Sequence, residues 1–156
     1  GLGDVYKRQL FYGCGLRRRE ATQLELKDID FNQKLLHVNG VKTGKRRSIP
    51  LSSQQMTSIK NYIQEERPCH KRGYEQYLLV GKRGGKIAAT LAKKLHLWQE
   101  ATGLGQELCW HVLRHSIATQ LVQRGIDIEK VSRFLGHSSL SSTAHYLHVI
   151  TQEYEL

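Results

Sequence analysis

Apolar and polar positions divide the chain into a short opening segment and a patterned body. Gly1 to Gln9 carry no clear period and are set aside as a candidate junction segment. Leu10-Phe11-Tyr12 reads as the end of a helix that Cys14-Gly15 stops, and Arg18 to Glu25, with Ala21 and Leu24 on one face, predicts a short helix ending near Asp28. Leu35 to Val38 and Arg47 to Leu51 are strand-like runs about a loop holding Asn39-Gly40 and Thr43-Gly44, a β-hairpin pattern with a basic tip. Ser52 or Ser53 is placed to cap a helix to about Glu66, where Met56, Ile59 and Ile63 fall at helical spacing and Pro68 marks the stop. Tyr77 to Val80 reads as a further strand and Gly81 to Gly85 as a basic turn. Helices are expected over 88–101, 111–124, 128–135 and 139–147, broken by Gly103, Gly105, Gly125 and Gly136. The pattern predicts a mainly helical α+β domain with a small antiparallel sheet on one side.

Length limits this picture to one domain, since 156 residues bury roughly 70% of the surface of the unfolded chain. Cys14, Cys69 and Cys109 are widely spaced and form no CxxC pair, so reduced thiols are expected. Charge changes the picture more. Lys and Arg number 24 against 14 acidic residues, a net +10 with an isoelectric point near 9.7. The cations cluster at 17–19, 42–47, 82–86 and 93–94. Such a surplus attracts polyanions and adds salt-dependent affinity for nucleic acid, although a merely soluble basic surface has the same composition. No apolar run approaches the roughly 20 residues of a membrane span and no signal peptide opens the chain, so a soluble intracellular protein is expected.

The candidate chemistry follows the basic clusters. His111 and Arg114 are three apart in a helical stretch and project from one face, where they can reach a single phosphate. Arg suits this because its planar fork bonds two phosphate oxygens and stays charged. Arg17 follows Gly15-Leu16, and Glu20, one turn later, can hold its side chain in place, with Arg18 and Arg19 facing solvent or backbone phosphates. Lys42 and Lys45 lie at the hairpin tip beside Arg46, and Lys82 and Arg83 in the glycine-rich turn. His137 follows Gly136 at the end of a helix, in a position that fits either hydrogen bonding or packing. Tyr146 lies in Thr143-Ala-His-Tyr-Leu-His148; on its own it reads as a helix-packing residue, and a free phenol, with a pKa near 10, is a poor nucleophile unless cations favour the phenolate. His111 with His115, and His145 with His148, have the i, i+4 or i, i+3 spacing of metal ligands, but HExxH and nearby acidic partners are lacking. Gly81-Lys-Arg-Gly-Gly85 lacks the GxxxxGK[ST] frame of a nucleotide loop.

Taken together and in order, Gly15-Leu-Arg-x-x-Glu20, the basic loop before Arg47 and Pro50, His111-Val-Leu-Arg-His-Ser-Ile-Ala-Thr119, Leu135-Gly-His137 and Thr143-x-x-Tyr-x-His148 resemble the catalytic domain of the tyrosine recombinases, the family of the phage integrases. Arg18 and Arg19 depart from the apolar and small residues usual there. The resemblance covers about residues 10–149. It implies the tyrosine recombinase catalytic fold over 10–150, with 151–156 a tail. It implies Tyr146 as nucleophile, Arg17, Arg114, His111 and His137 as transition-state stabilisers, and Lys42 as the acid that protonates the leaving 5′ oxygen, Lys45 being its rival. Glu20 and His115 would support them from behind. Arg18, Lys45, Arg46, Lys82 and Arg83 would touch DNA. It further implies double-stranded DNA as partner, a homotetramer on DNA when full length, a cytoplasmic, nucleoid-associated enzyme, and no need for metal or nucleotide cofactor. A type IB topoisomerase-like relaxation activity and a non-catalytic DNA-binding domain are the alternatives.

Overall fold

The computed structural model of the protein describes residues 13–41, 44–67, 72–81, 83–85, 87, 97, 99–100, 110–140 and 143. Gly15, at φ +55°, turns the chain into α1 (Arg18–Gln23), whose first turn is closed by the Glu20 carboxylate accepting the Arg17 backbone N–H at 2.8 Å. The helix stops earlier than its pattern predicts. From Leu24 onward the backbone pairs with a distant segment instead: Leu78 N–H donates to Leu24 O and Leu26 N–H to Gln76 O, both at 2.8 Å, and a 3₁₀ turn covers Leu26–Asp28. The Tyr77 to Val80 segment therefore makes an isolated antiparallel bridge, Glu25 to Tyr77, and is no strand of the sheet.

That sheet is antiparallel with order β1 (Ile29–Asp30), β2 (Leu35–Asn39), β3 (Arg46–Pro50). The hairpin is as expected, whereas the two-residue β1 at its edge carries too short a pattern to be read from sequence. Leu36 pairs with Ile49 and Val38 with Arg47, which turns Leu36, Val38 and Ile49 into the core. Ser52 caps α2 (Ser53–Asn61) by accepting from Gln55 N–H at 3.2 Å, while Gln55 accepts from Ser52 N–H at 2.8 Å. The expected continuation to Glu66 takes the form of a π-helical turn, Tyr62–Glu66, that drops the fully buried Tyr62 into the core.

Two further helices follow, α3 (Trp110–Gln123) and α4 (Ile128–Leu135). Gly125, at φ +79°, breaks the first, and Asp127 caps the second through Glu129 N–H at 2.7 Å. The larger core joins Leu16, Ala21, the sheet, Met56, Ile59, Tyr62 and Leu78; a smaller one joins Ala118, Val131 and Leu135. Phe134 packs against both, so α4 is seated on the sheet side as well as on α3. Most of the helices expected over 88–101 and 139–147 lies outside the described residues, as do Gly103, Gly105, Pro68, Lys42, Lys82 and Tyr146. No helix among the described residues is long and apolar enough to cross a membrane.

Candidate active site

The C-terminal end of α4 is where the distant motifs meet. Gly136 adopts the left-handed conformation, φ +66° and ψ +44°, and the turn is a Schellman cap: Gly136 N–H donates to Arg133 O and His137 N–H to Ser132 O, each at 3.0 Å. The cap leaves three successive carbonyls exposed to donors, and each receives a guanidinium from a different part of the chain. Arg47 Nε donates to Phe134 O at 2.9 Å, Arg114 Nη2 donates to Leu135 O, and Arg17 Nη2 donates to Gly136 O at 3.2 Å. Cations here complement the negative end of the helix dipole.

Arg114 is held on a second side as Nη1 donates to Gly15 O, so the guanidinium bridges the turn before α1 and the end of α4. It is 5% exposed. Arg17 also donates from Nη1 to Glu20 Oε1 at 3.0 Å, and about 29% of its side chain stays open to solvent. The pairing read from the i, i+3 spacing of Arg17 and Glu20 is thus made. Glu20 itself is fully buried, and it accepts a second, bidentate partner, Arg47, at 2.8 and 2.9 Å. Burial by itself raises the Glu20 pKa. The hydrogen bonds and charges of Arg47 and Arg17 outweigh that, and the carboxyl is held below its usual range.

His137 leaves the cap half-buried, its Nδ1 2.7 Å from the hydroxyl of the buried Thr143. Burial and the charges of Arg114, Arg17 and Arg47 push its pKa down to about 4. The imidazole is therefore neutral near pH 7, and can serve as a hydrogen-bond donor without adding charge. His111 is exposed on α3 and lines an open cleft of about 340 Å³ with Arg17, Arg18, Arg19, Glu20, Val41, Trp110 and Arg114. His111 and Arg114 do share a face, as their spacing predicts, and the cleft brings Arg17 onto it.

His115 is half-buried on α3, and Arg18, Lys45, Arg46 and Arg83 are exposed. Lys42, Lys82 and Tyr146 lie outside the described residues. No group of three or more metal-binding side chains occurs among the described residues. Arg47 is the member of the cluster that the motif reading passed over. Its signal was available: in β3 it shares parity with the buried Ile49, so a charged residue stands in a core-facing register and needs an internal partner.

Residues 6–153 match the phage integrase family. The chain belongs to that family. The tyrosine recombinase XerC of Chromobacterium violaceum is 36% identical over 139 residues, covering 88% of this chain and 45% of that protein. Among solved structures, the XerH site-specific recombinase bound to palindromic difH substrate superposes with a TM-score of 0.79 at 28% identity, over 98% of this chain and 44% of that one. The Tn1549 transposon integrase in complex with transposon right end DNA has the same fold, with a TM-score of 0.75 at 20% identity over 90% of this chain and 53% of that one. The α+β class and the recombinase fold expected from sequence are thus found. The chain spans about half the length of the relatives it matches.

Proposed function

We propose that residues 10–150 are the catalytic domain of a site-specific DNA recombinase, an integrase of a mobile element, that cleaves and rejoins DNA through a 3′-phosphotyrosyl intermediate. The observation that carries this reading is the convergence of Arg17, Arg114 and His137 on the end of α4, beside the cleft that His111 lines. Family membership supports it, as does the occupation of every expected position, including Lys42 and Tyr146.

In this mechanism the Tyr146 phenol gives its proton to solvent as its oxygen attacks the scissile phosphorus. The P–O5′ bond breaks, its electron pair leaves with the 5′ oxygen, and Lys42 supplies the proton that makes a 5′ hydroxyl. Arg17 and Arg114 offset the charge that builds on the non-bridging oxygens, with N–H donation from neutral His137 and from His111. A 5′ hydroxyl of another strand then gives its proton to the neutral Lys42 amine and attacks the phosphotyrosine; the Tyr146 phenolate leaves and regains a proton from solvent, so the phosphodiester count is unchanged and no outside energy source enters. Arg18, Lys45, Arg46, Lys82 and Arg83 contact backbone phosphates, and the full-length protein works as a homotetramer on duplex DNA in the nucleoid. Residues 1–9 and 151–156 lie outside the catalytic unit.

Nicked duplex substrates that trap the covalent step test this. The complete polypeptide should yield a protease-sensitive adduct in the presence of EDTA, and Tyr146→Phe should bind DNA equally well and yield none. An adduct formed by the Phe variant would assign the nucleophile elsewhere. Dependence on a divalent metal would restore the histidine-ligand alternative.

A further inference from the structure

Three guanidiniums meet at α4, but only two of them face the cleft. Arg17 and Arg114 line it, whereas Arg47 is set behind Glu20 and does not. Its Nε is spent on Phe134 O, and its two Nη groups on the two oxygens of Glu20. Glu20 in turn holds Arg17 twice, by side chain and by backbone N–H. A relay therefore runs from β3 through Arg47 and Glu20 to Arg17. The same guanidinium pins β3 against α4. The approach is tight: a Cβ on Gly136 would lie 2.8 Å from Arg47 Nη1.

We propose that Arg47 is a positioning residue: through Glu20 it sets the direction in which Arg17 presents its guanidinium to the cleft. The inference rests on the recombinase reading for its catalytic consequence, though not for its structural one. A planar fork is required. Lysine carries the same charge as a single point and cannot span both Glu20 oxygens while also reaching Phe134 O.

Arg47→Lys in the complete polypeptide is the first test. Single-turnover cleavage of a nicked substrate should slow by roughly 10- to 100-fold, as small misplacements of reacting groups do. DNA affinity should stay within about threefold, because Arg47 is not in the cleft, and the fraction of enzyme that finally reacts should be unchanged. A purely structural role would do the opposite, lowering the reactive fraction while leaving the rate constant intact, and would overturn the proposal. Glu20→Gln keeps the shape and cuts the relay at its other joint, with the reactive fraction again reporting how much enzyme is folded. It should slow cleavage comparably, and the double variant should lose no more than the worse single one. Additive losses would break the relay. A measurement without DNA separates this inference from the recombinase reading. In wild type, Glu20 and Gly136 O should hold the Arg17 Nη groups in distinct NMR resonances, and in Arg47→Lys these should average. Unchanged Arg17 resonances would refute the positioning role even if activity fell. Absence of any adduct from wild type would count against the recombinase reading alone, with the resonances still deciding the role of Arg47.

Discussion

The buried hydroxyl of Thr143 lies 2.7 Å from Nδ1 of His137, just beyond the cap of α4. The imidazole is thereby fixed in a pocket already crowded with guanidinium charge, and protonating it there is unfavourable. The consequences for stability have a definite sign.

The His137 pKa falls from an ordinary 6.5 in the unfolded chain to about 4 in the fold. Between those values the unfolded state binds more protons, so stability drops as pH is lowered through that window and is restored as pH rises above it. With a discount for partial exposure, acidification from pH 7 to 5 should remove about 1–2 kcal/mol through this group. Glu20, whose folded pKa is depressed, keeps its contribution above the usual carboxylate range and loses it as pH falls from that range toward the folded value. Urea unfolding at the two pH values should show the loss in wild type and a smaller one in His137→Gln; equal losses would assign the acid sensitivity to other groups.

Removing the Glu20 carboxylate strands the largely enclosed Arg47 beside Arg17 without their shared counter-charge. Glu20→Ala should cost about 3–5 kcal/mol of folding stability, the usual penalty for stranding a buried charge. Chemical denaturation at neutral pH measures it. A loss under about 1 kcal/mol would mean that solvent reaches the site and screens it.

Gly136 and Gly125 both adopt positive φ, +66° and +79°, but only at Gly136 does a new Cβ meet other atoms, the Arg47 guanidinium. Gly125→Ala should cost only the left-handed conformational penalty, roughly 1–2 kcal/mol. Gly136→Ala should cost more and should also slow cleavage, since Arg47 must move. Equal costs in paired unfolding curves would show that the guanidinium yields freely.

Lys42 and Lys45 are separated by their leaving-group chemistry. An alkoxide needs a proton to depart whereas a thiolate does not, so Lys42→Ala should cleave ordinary DNA roughly 10² to 10⁴-fold more slowly and recover on DNA with a 5′-bridging sulfur. Arg17→Ala and Arg114→Ala should remain defective on both, because they act on non-bridging oxygens. Sulfur rescue of Lys45→Ala, with Lys42→Ala still inactive, would move the acid to Lys45.

Periodicity and punctuation were enough to place α4 at 128–135, α3 to within a residue at its ends, the hairpin, and a serine cap at 52 or 53 that the structure resolves as Ser52, because each is set by interactions a few residues apart. The Arg17–Glu20 pairing and the common face of His111 and Arg114 were legible too, since each follows from a spacing of three residues. Local rules failed where distant backbone competed. α1 ends at Gln23 because Leu24 and Leu26 find partners at Leu78 and Gln76, and Tyr77 is drawn into a bridge with Glu25 in place of a strand.

What sequence determined by itself was the set of short-range choices: which stretches curl, which alternate, and which side chains could hold a phosphate. Tertiary structure decided which of them meet. The stop at Gly136 turns three carbonyls outward, and only folding brings Arg17, Arg47 and Arg114, from a turn, a strand and a helix, onto them. A guanidinium separated by 119 residues from the carbonyl it caps leaves no periodic trace in the chain, and it is packing of Phe134 between the two cores that closes the distance.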